Sequence, residues 1–528
     1  MQKPANAILW VKLPLALAIA AAVSMGTVHL RADDSLENLR QRGVLVWGAD
    51  AEGGVPFVYP RDDDPTSYQG FEVELAGLLA KKLGVQSRFA QGQWDKLPDL
   101  LQRGDVDLVL NGYEWTPTRA ERYGTTIPYY IYQLQLLVRR DDERFPTLES
   151  LKSAAGESPR IAVLGGSAAE RWVKQNLGDK AKIARYDGST DALRAVELDL
   201  DGVDATLQDL PVVAFYERRF PQLRRLGEPV EPGFYVALTR PEDQALLRAL
   251  NDAILECYRD GSFPAVLERY GMWNALQRQR GLVTSDNGRF QPDPTPVQIA
   301  SDVPRAATNA WQTDVWSRTP LLVRAAAITV FLAVCSMPLA VAAGLLIAVG
   351  RLYGPAWLRW PLGWYVEIIR GTPLVLQLYV IFFLLPELGI SLPSLVAGIL
   401  GLSLNYSAYE AEIYRAGLQA VPRGQMEAAL SLGMSRSLAL RRIIVPQAFR
   451  LVIPPVMNDF IAMFKDTAVC SVITVVELSK EYYIQAQSTN RVLELGIVTA
   501  LLYLAMSYPL SLVVARMERR LAQGSKHA

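Results

Sequence analysis

An α/β soluble half followed by an all-α membrane half is the fold class this sequence predicts, and three observations predict it. Residues Asp33 to about Thr319 are polar and mixed in charge, whereas Leu321 to Val514 carries long apolar runs interrupted by one basic loop. In the first stretch, short β-rich runs alternate with amphipathic helical patterns, as α/β layers around parallel strands require. In the second, the apolar runs approach the roughly 20 residues that a helix needs to cross a bilayer. A chain of 528 residues has room for these two domains and their connections.

At the N-terminus, Lys3 and Lys12 stand ahead of or within an apolar stretch from Leu13 to Val28, which ends at Leu30-Arg31-Ala32 before Asp33-Asp34. Residues 1–32 therefore read as a secretory signal, with Ala32 as the cleavage point, or as an uncleaved signal anchor; either one exports the soluble domain. Between residues 33 and 276 the pattern gives strands at Val44 to Gly48, Asp107 to Leu110, Ile161 to Leu164 and Ala205 to Leu207, with helices at Phe71 to Leu83 and Asp191 to Leu198. Residues 277–318, including Gln291-Pro292-Asp293-Pro294-Thr295-Pro296, read as a semi-extended linker.

A membrane domain over 319–520 is expected to have about five spans: Leu321 to Val349, Leu362 to Leu385, Leu395 to Tyr414, a broken one from Pro446 to Val476, and Ile497 to Val514. With the soluble domain outside, the Arg351/Arg359 loop, the Arg415 to Arg450 loop and the Arg516/Arg519/Arg520 segment all fall inside, as does the tail 521–528. Pro454, Pro455, Asn458, Asp459, Lys465 and Asp466 make the fourth span too polar to face lipid, so it is expected to face the protein interior beside a translocation path. Lys465 with Asp466 reads equally as a structural ion pair at a span end.

Composition excludes several classes. Net charge is zero and the soluble half has no basic stretch interleaved with aromatics, so nucleic acid is not an expected partner. Only Cys257 lies in the soluble half, with Cys335 and Cys470 in apolar runs, so no disulfide staples that domain. No metal site is expected. The sequence has no G-x-x-x-x-G-K-[ST] loop, and so no cofactor or nucleotide is expected on this chain.

The basic loop at 421–446 is the most specific signal. Gln425 to Leu432 groups Ala428, Ala429 and Leu432 on one side of a short helix, Gly433 offers a helix stop, and Arg436, Arg441 and Arg442 come next, before Pro446. Gly424, Glu427, Ala428, Ala429, Gly433, Ile443 and Pro446, in the spacing E-A-A-x3-G-x9-I-x-x-P, resemble the cytoplasmic coupling loop of ABC importer permeases, which docks into a groove on a separate ATPase subunit. The runs Glu367 to Leu374, Glu412 to Gly417, Pro446 to Arg450 and Lys465-Asp466-Thr467 resemble the polar amino-acid branch of those permeases. This resemblance implies two partner ATPase subunits carrying ATP and Mg, and pairing of this chain with a second copy or a related permease. It also implies a bacterial plasma (inner) membrane location, with the binding domain on the periplasmic or extracellular side. Glu410 departs from the family's uncharged residue; with Glu412, Asn458, Lys465 and Asp466 it is a candidate for the translocation path, for an outward loop, or for a partner on a neighbouring span.

Residues Leu36 to Trp273 resemble the bilobed periplasmic amino-acid-binding proteins of type II, through Gly70 to Leu75, Thr116-Pro117-Thr118-Arg119-Ala120-Glu121 and Pro128-Tyr129-Tyr130. The resemblance implies that Arg119 holds a substrate α-carboxylate, a task suited to a bidentate guanidinium, and that Asp209 receives the α-ammonium. Gly166 and Ser167, after the Ile161 to Leu164 strand, would offer backbone N–H groups to the same carboxylate. Asp50, Glu52, Phe57 and Trp94 map to the walls around the substrate side chain. Two departures stand out: Gly53-Gly54-Val55 replaces an aromatic lid, and Glu114 replaces a hydroxyl residue. Glu114 is expected either to pair with Arg119 or to meet a cationic group. The acidic surroundings favour a cationic or neutral polar amino acid. The implied function is capture and import of an amino acid by a non-enzymatic transport subunit; the alternative is a ligand-sensing membrane receptor on the same fold.

Overall fold

Twelve strands are described in the computed structural model: β1 (Val44–Ala49), β2 (Tyr59–Pro60), β3 (Tyr68–Gln69), β4 (Gln86–Gln91), β5 (Leu108–Val109), β6 (Gly124–Thr125), β7 (Tyr130–Arg139), β8 (Arg160–Leu164), β9 (Lys182–Tyr186), β10 (Ala205–Asp209), β11 (Leu223–Tyr235) and β12 (Leu238–Thr239). The structure describes residues 33–280 and 315–524, apart from 53, 62, 65, 153–157 and 490. The expected signal segment 1–32, the linker over 281–314, the end of the tail and Gly53 of the substituted lid lie outside the described residues.

Two five-stranded sheets, ordered β4-β1-β5-β12-β6 and β11-β7-β10-β8-β9, form two lobes. β1 runs parallel to β4 and β5, and β8 runs parallel to β9 and β10. β7 and β11 pair antiparallel and carry the chain out to the second lobe and back, from Tyr130 opposite Tyr235 to Arg139 opposite Leu223. Each expected strand and helix of this half is present, within two residues at either end. The two crossing strands make the second sheet mixed rather than purely parallel, and β12, antiparallel to β5 and β6, does the same for the first. The helix Phe71–Leu83 buries Phe71, Leu75, Ala76 and Leu79 against the first sheet and stops at Gly84, which takes the left-handed conformation.

The C-terminal half is mostly helical. Among the described residues, two helices are long and apolar enough to cross a membrane, Val315–Tyr353 and Val492–Arg519, and a bent pair, Ala356–Gly371 with Leu374–Leu388, makes a third if it is one span. The expected straight span from Leu362 to Leu385 is thus corrected to two helices meeting at 109°. The cause is local: Pro373 has no N–H to give and pushes the residue before it out of the helical region, and Thr372 is extended at φ −117°, ψ 142°. The other two expected spans are helices of 27 and 22 residues, Ser394–Ala420 and Val445–Asp466, whose ionisable residues set them apart from the apolar ones. Pro454 and Pro455 lie inside the second of these, so the expected break comes later, where a 3-10 turn over Thr467–Ile473 succeeds Asp466.

In the helical half a polar element lies outside every expected span. The segment Leu478–Thr489 is a polar helix against the binding domain, and its Ile484 is fully buried in that domain's core cluster. A second apolar cluster joins Leu97, Leu101 and Val109 of the first lobe to Leu332, Leu378, Phe382 and Ile473 of the membrane half.

Candidate functional site

Residues of both lobes line one narrow cavity of about 50 Å³, among them Asp50, Phe57, Trp94 and Glu114 from one side and Ser167 and Asp209 from the other. Arg119 stands at this cleft on a short helix, Pro117–Arg122, fixed by the Thr116 hydroxyl accepting the Arg119 amide at 3.2 Å. Its guanidinium lies 5.1 Å from the Tyr113 ring and 5.7 Å from Trp94, a cation over two aromatic faces.

Glu114 takes that guanidinium. Arg119 Nη1 donates to a Glu114 carboxylate oxygen and, at 2.8 Å, to the Glu114 backbone carbonyl. The other carboxylate oxygen accepts from the Ala168 amide across the cleft at 2.7 Å. Of the two expectations for Glu114, pairing with Arg119 is the one found. Glu114 is therefore a buried carboxylate bound by an arginine and by the amide at the start of the helix Ala168–Asn176, and it joins the two lobes.

The second lobe differs from expectation in which amides are offered. The Gly166 N–H donates to Glu170 Oε2 at 2.8 Å, and Ser167 caps the helix while its hydroxyl donates to the Leu164 carbonyl at 2.7 Å. Glu170 also receives Arg185 and Lys174, which hold its carboxyl at about 2 against the opposing effect of burial. The amide that reaches the cleft is that of Ala168, one residue past the expected pair. A backbone N–H leaves no trace in residue type, so the sequence carried no signal for it.

Asp209 ends β10 and receives the Tyr235 hydroxyl. Burial, with Glu114 nearby, pushes its carboxyl up to about 7. A buried acid held near neutrality ionises readily once a cation arrives. Asp50 accepts from Gln91 Nε2 at 2.8 Å, from the Trp94 amide at 3.0 Å and from the Glu52 amide at 3.0 Å, so it anchors its own lobe while lining the cavity. Trp94 stacks on Tyr113 at 4.9 Å, and Phe57 meets Tyr235 at 5.8 Å. Glu52 pairs with Lys480 of the polar helix at 2.8 Å. Burial and the adjacent Asp50 push the Glu52 carboxyl up, and Lys480 draws it back.

In the membrane half the expected polar residues separate. Glu410 is fully buried and neither carboxylate oxygen has a hydrogen bond of normal geometry among the described residues. Glu412 is held by Arg351 and, at 2.6 Å, by Arg415. Asp466 accepts from the Tyr406 hydroxyl at 2.6 Å rather than from Lys465, which is exposed, as is Asn458. The Lys465–Asp466 ion pair is thus replaced by a tyrosine–carboxylate bond.

The basic loop forms the helix Arg423–Ser431, close to the expected span, and ends at Gly433 with φ +80°. Ala429 is buried, with Ile443 among the residues beneath the loop, whereas Gly424, Glu427, Ala428 and Pro446 face outward beside a fully projecting Leu432 at 82% exposure. One face of this short helix is used internally and the other is presented.

A two-lobed cleft joined to helical spans and to a presented loop helix defines a membrane transport subunit with its own capture domain. Residues 45–272 match the bacterial extracellular solute-binding proteins of family 3, and residues 340–523 match the binding-protein-dependent transport system inner membrane component. The chain is 39% identical over 212 residues to the L-cystine transport system permease protein TcyB of Bacillus subtilis (strain 168), covering 40% of this chain and 91% of that protein. It is 33% identical over 217 residues to the glutamine transport system permease protein GlnP of Escherichia coli (strain K12), covering 39% and 95%. A solved structure of an ancestral arginine-binding protein bound to arginine is 27% identical at TM-score 0.40, over 43% of this chain and 98% of that one. The chain belongs to the permeases of amino-acid ABC importers and carries a family 3 solute-binding domain on the same polypeptide. No observation favours a sensing receptor over a transporter.

Proposed function

We propose that the chain captures an amino acid between its two lobes and passes it through its helical half, driven by ATP that a separate Mg-dependent ATPase subunit hydrolyses. The observation that carries this reading is a cleft lined by Asp209 and by Glu114, which holds Arg119, on the same chain as the presented Glu427 helix. Arg119, with the Ala168 amide, suits an α-carboxylate. Asp209, ionising on contact, suits an α-ammonium. Asp50 and Glu52 add negative charge beside the walls of Phe57 and Trp94, which favours a cationic or neutral polar side chain.

Release would run along the polar groups of the helical half, the buried Glu410 foremost, with Asn458, Lys465 and Asp466 contributing. The Glu427 face, framed by Gly424, Ala428, Ala429, Gly433, Ile443 and Pro446, would seat in the ATPase. Two such chains, or this chain with a related permease, would stand over two ATPase subunits in the bacterial inner membrane, with the binding domain outside. The substrate leaves chemically unchanged.

Thermal unfolding of the purified full chain against each amino acid tests capture, because a ligand at 100 times its Kd adds about 2.7 kcal/mol. The expected result is a rise in midpoint with one chemical group of amino acids, lost in Arg119→Ala. Glu427→Arg keeps that rise and loses ligand-stimulated ATP hydrolysis by the partner ATPase. An unchanged shift in Arg119→Ala would remove the carboxylate clamp, and full stimulation with Glu427→Arg would remove the docking role.

A further inference from the structure

The polar helix Leu478–Thr489 sits between the membrane half and the binding domain and touches both lobes. On the second lobe, Gln487 Nε2 donates to Asp191 Oδ1 at 2.8 Å, and Arg219 donates to the Ser488 carbonyl at 3.0 Å. On the first, Lys480 Nζ lies 2.8 Å from Glu52 Oε1 and 4.0 Å from Asp50 Oδ1. The Lys480 side chain is only 4% exposed. Its place in the chain is fixed from behind, because the Glu477 carboxylate accepts the Ser479 amide at 2.9 Å and the Lys480 amide at 2.8 Å.

A buried ammonium persists only where carboxylates compensate it. The carboxylates that compensate Lys480 belong to the binding domain, and one of them, Asp50, also lines the cleft. A second cation arriving at the same two carboxylates meets the repulsion of the first within an ion-pair distance. We infer that Lys480 is a tethered cation, borne by the permease half and held by Glu52, that competes with the substrate's cationic side-chain group for Asp50 at the cleft wall. Seating the binding domain on the permease then loosens the hold on a cationic amino acid at the moment of delivery. Fusion of the two halves keeps the competitor at high effective concentration. This inference rests on the reading of the cleft as an amino-acid site.

The experiment uses the full chain in lipid nanodiscs, with radiolabelled L-arginine and L-glutamine as probes. A carbodiimide, which joins an amine to a carboxylate in contact, is expected to link Lys480 to Glu52, and saturating L-arginine to suppress that link. Lys480→Ala is expected to bind L-arginine about tenfold more tightly than wild type, as when a cleft free about a tenth of the time becomes always free. Lys480→Arg, which keeps the charge, should stay at the wild-type value and so separates competition from a packing defect. Failure of the link to form overturns the proposal. So does equal or weaker L-arginine binding by Lys480→Ala. Binding of L-glutamine but not L-arginine by both forms overturns the competitor role and leaves amino-acid capture standing. Binding of neither probe nor of any other amino acid by either form overturns capture, and the inference with it.

Discussion

Glu114 decides what the Arg119 guanidinium can hold. It supplies a carboxylate to both the arginine and the Ala168 amide, the donors that suit a substrate carboxylate. On the proposed reading, an incoming amino acid displaces a side chain of the protein before it is clamped. Replacing Glu114 by serine removes the internal occupant but leaves a half-buried arginine without its pair, at 18% side-chain exposure. The substitution thus has two effects of opposite sign. The unliganded chain is expected to lose about 1–3 kcal/mol, the cost of leaving a buried partner unsatisfied. Affinity for the stabilising amino acid is expected to rise about tenfold, because less of the binding free energy is spent on displacement. Calorimetric titration beside thermal unfolding measures both; weaker binding by Glu114→Ser would show that Glu114 contacts the ligand instead of competing with it. That Asp209 lines the cleft and Arg119 lies beside it could be expected from motif context, since each is one residue type at a fixed place. The contest between Glu114 and the ligand could not, because the sequence allowed the carboxylate either partner and only the distances choose.

At the scale of elements, the helical half depends on close approaches at glycines, Gly344 among them. A Cβ on Gly344 would lie 2.5 Å from Glu410 Cβ, 2.9 Å from the Ser407 carbonyl oxygen and 3.1 Å from the Ala411 nitrogen. Two of these are backbone atoms that cannot swing aside, so the helices Val315–Tyr353 and Ser394–Ala420 meet there only because residue 344 has no side chain. Gly344→Leu is expected to cost at least about 1–3 kcal/mol by overpacking and to lower the unfolding midpoint of the purified chain. Gly363→Leu, where nothing lies within 4 Å, serves as the matched control, and equal midpoints for the two would show that the contact yields. The long apolar helices were legible because length and apolarity identify them alone. The bend at Thr372-Pro373 falls at Arg370-Gly371-Thr372-Pro373 between two apolar stretches, where the pre-proline rule allows it, but the expected span ran across both. The helix Leu478–Thr489 was not legible at all: Lys480, Gln485, Gln487 and Ser488 are polar, yet all are buried against other elements, so tertiary contacts rather than its own periodicity place it.

The whole molecule is held as one by contacts at both ends of the binding domain. Under the first lobe, the Arg103 guanidinium lies 3.7 Å from the centre of the Phe382 ring and donates to the Leu392 carbonyl at 3.0 Å. Phe382 lies just past the 109° bend, so the feature that spoils a straight span also builds the seat for the lobe. Under both lobes runs the helix that carries Lys480 and Gln487, so a change in the angle between lobes is felt by the membrane half without passing through the linker. A cation over an aromatic face and one charge-assisted hydrogen bond together contribute about 1–3 kcal/mol. That corresponds to roughly a 5- to 150-fold change in the ratio of seated to unseated domain. Arg103→Ala is remote from Arg119 and Asp209, and its expected effect is on communication: ligand binding by the full chain is retained, whereas ligand-stimulated hydrolysis by the partner ATPase falls severalfold. Both are measured on the reconstituted complex. If stimulation stays at the wild-type level, seating at Arg103 does not carry the signal, and coupling would have to run through the Leu478–Thr489 helix or through the apolar contacts of Leu97, Leu101 and Val109 with the helical half.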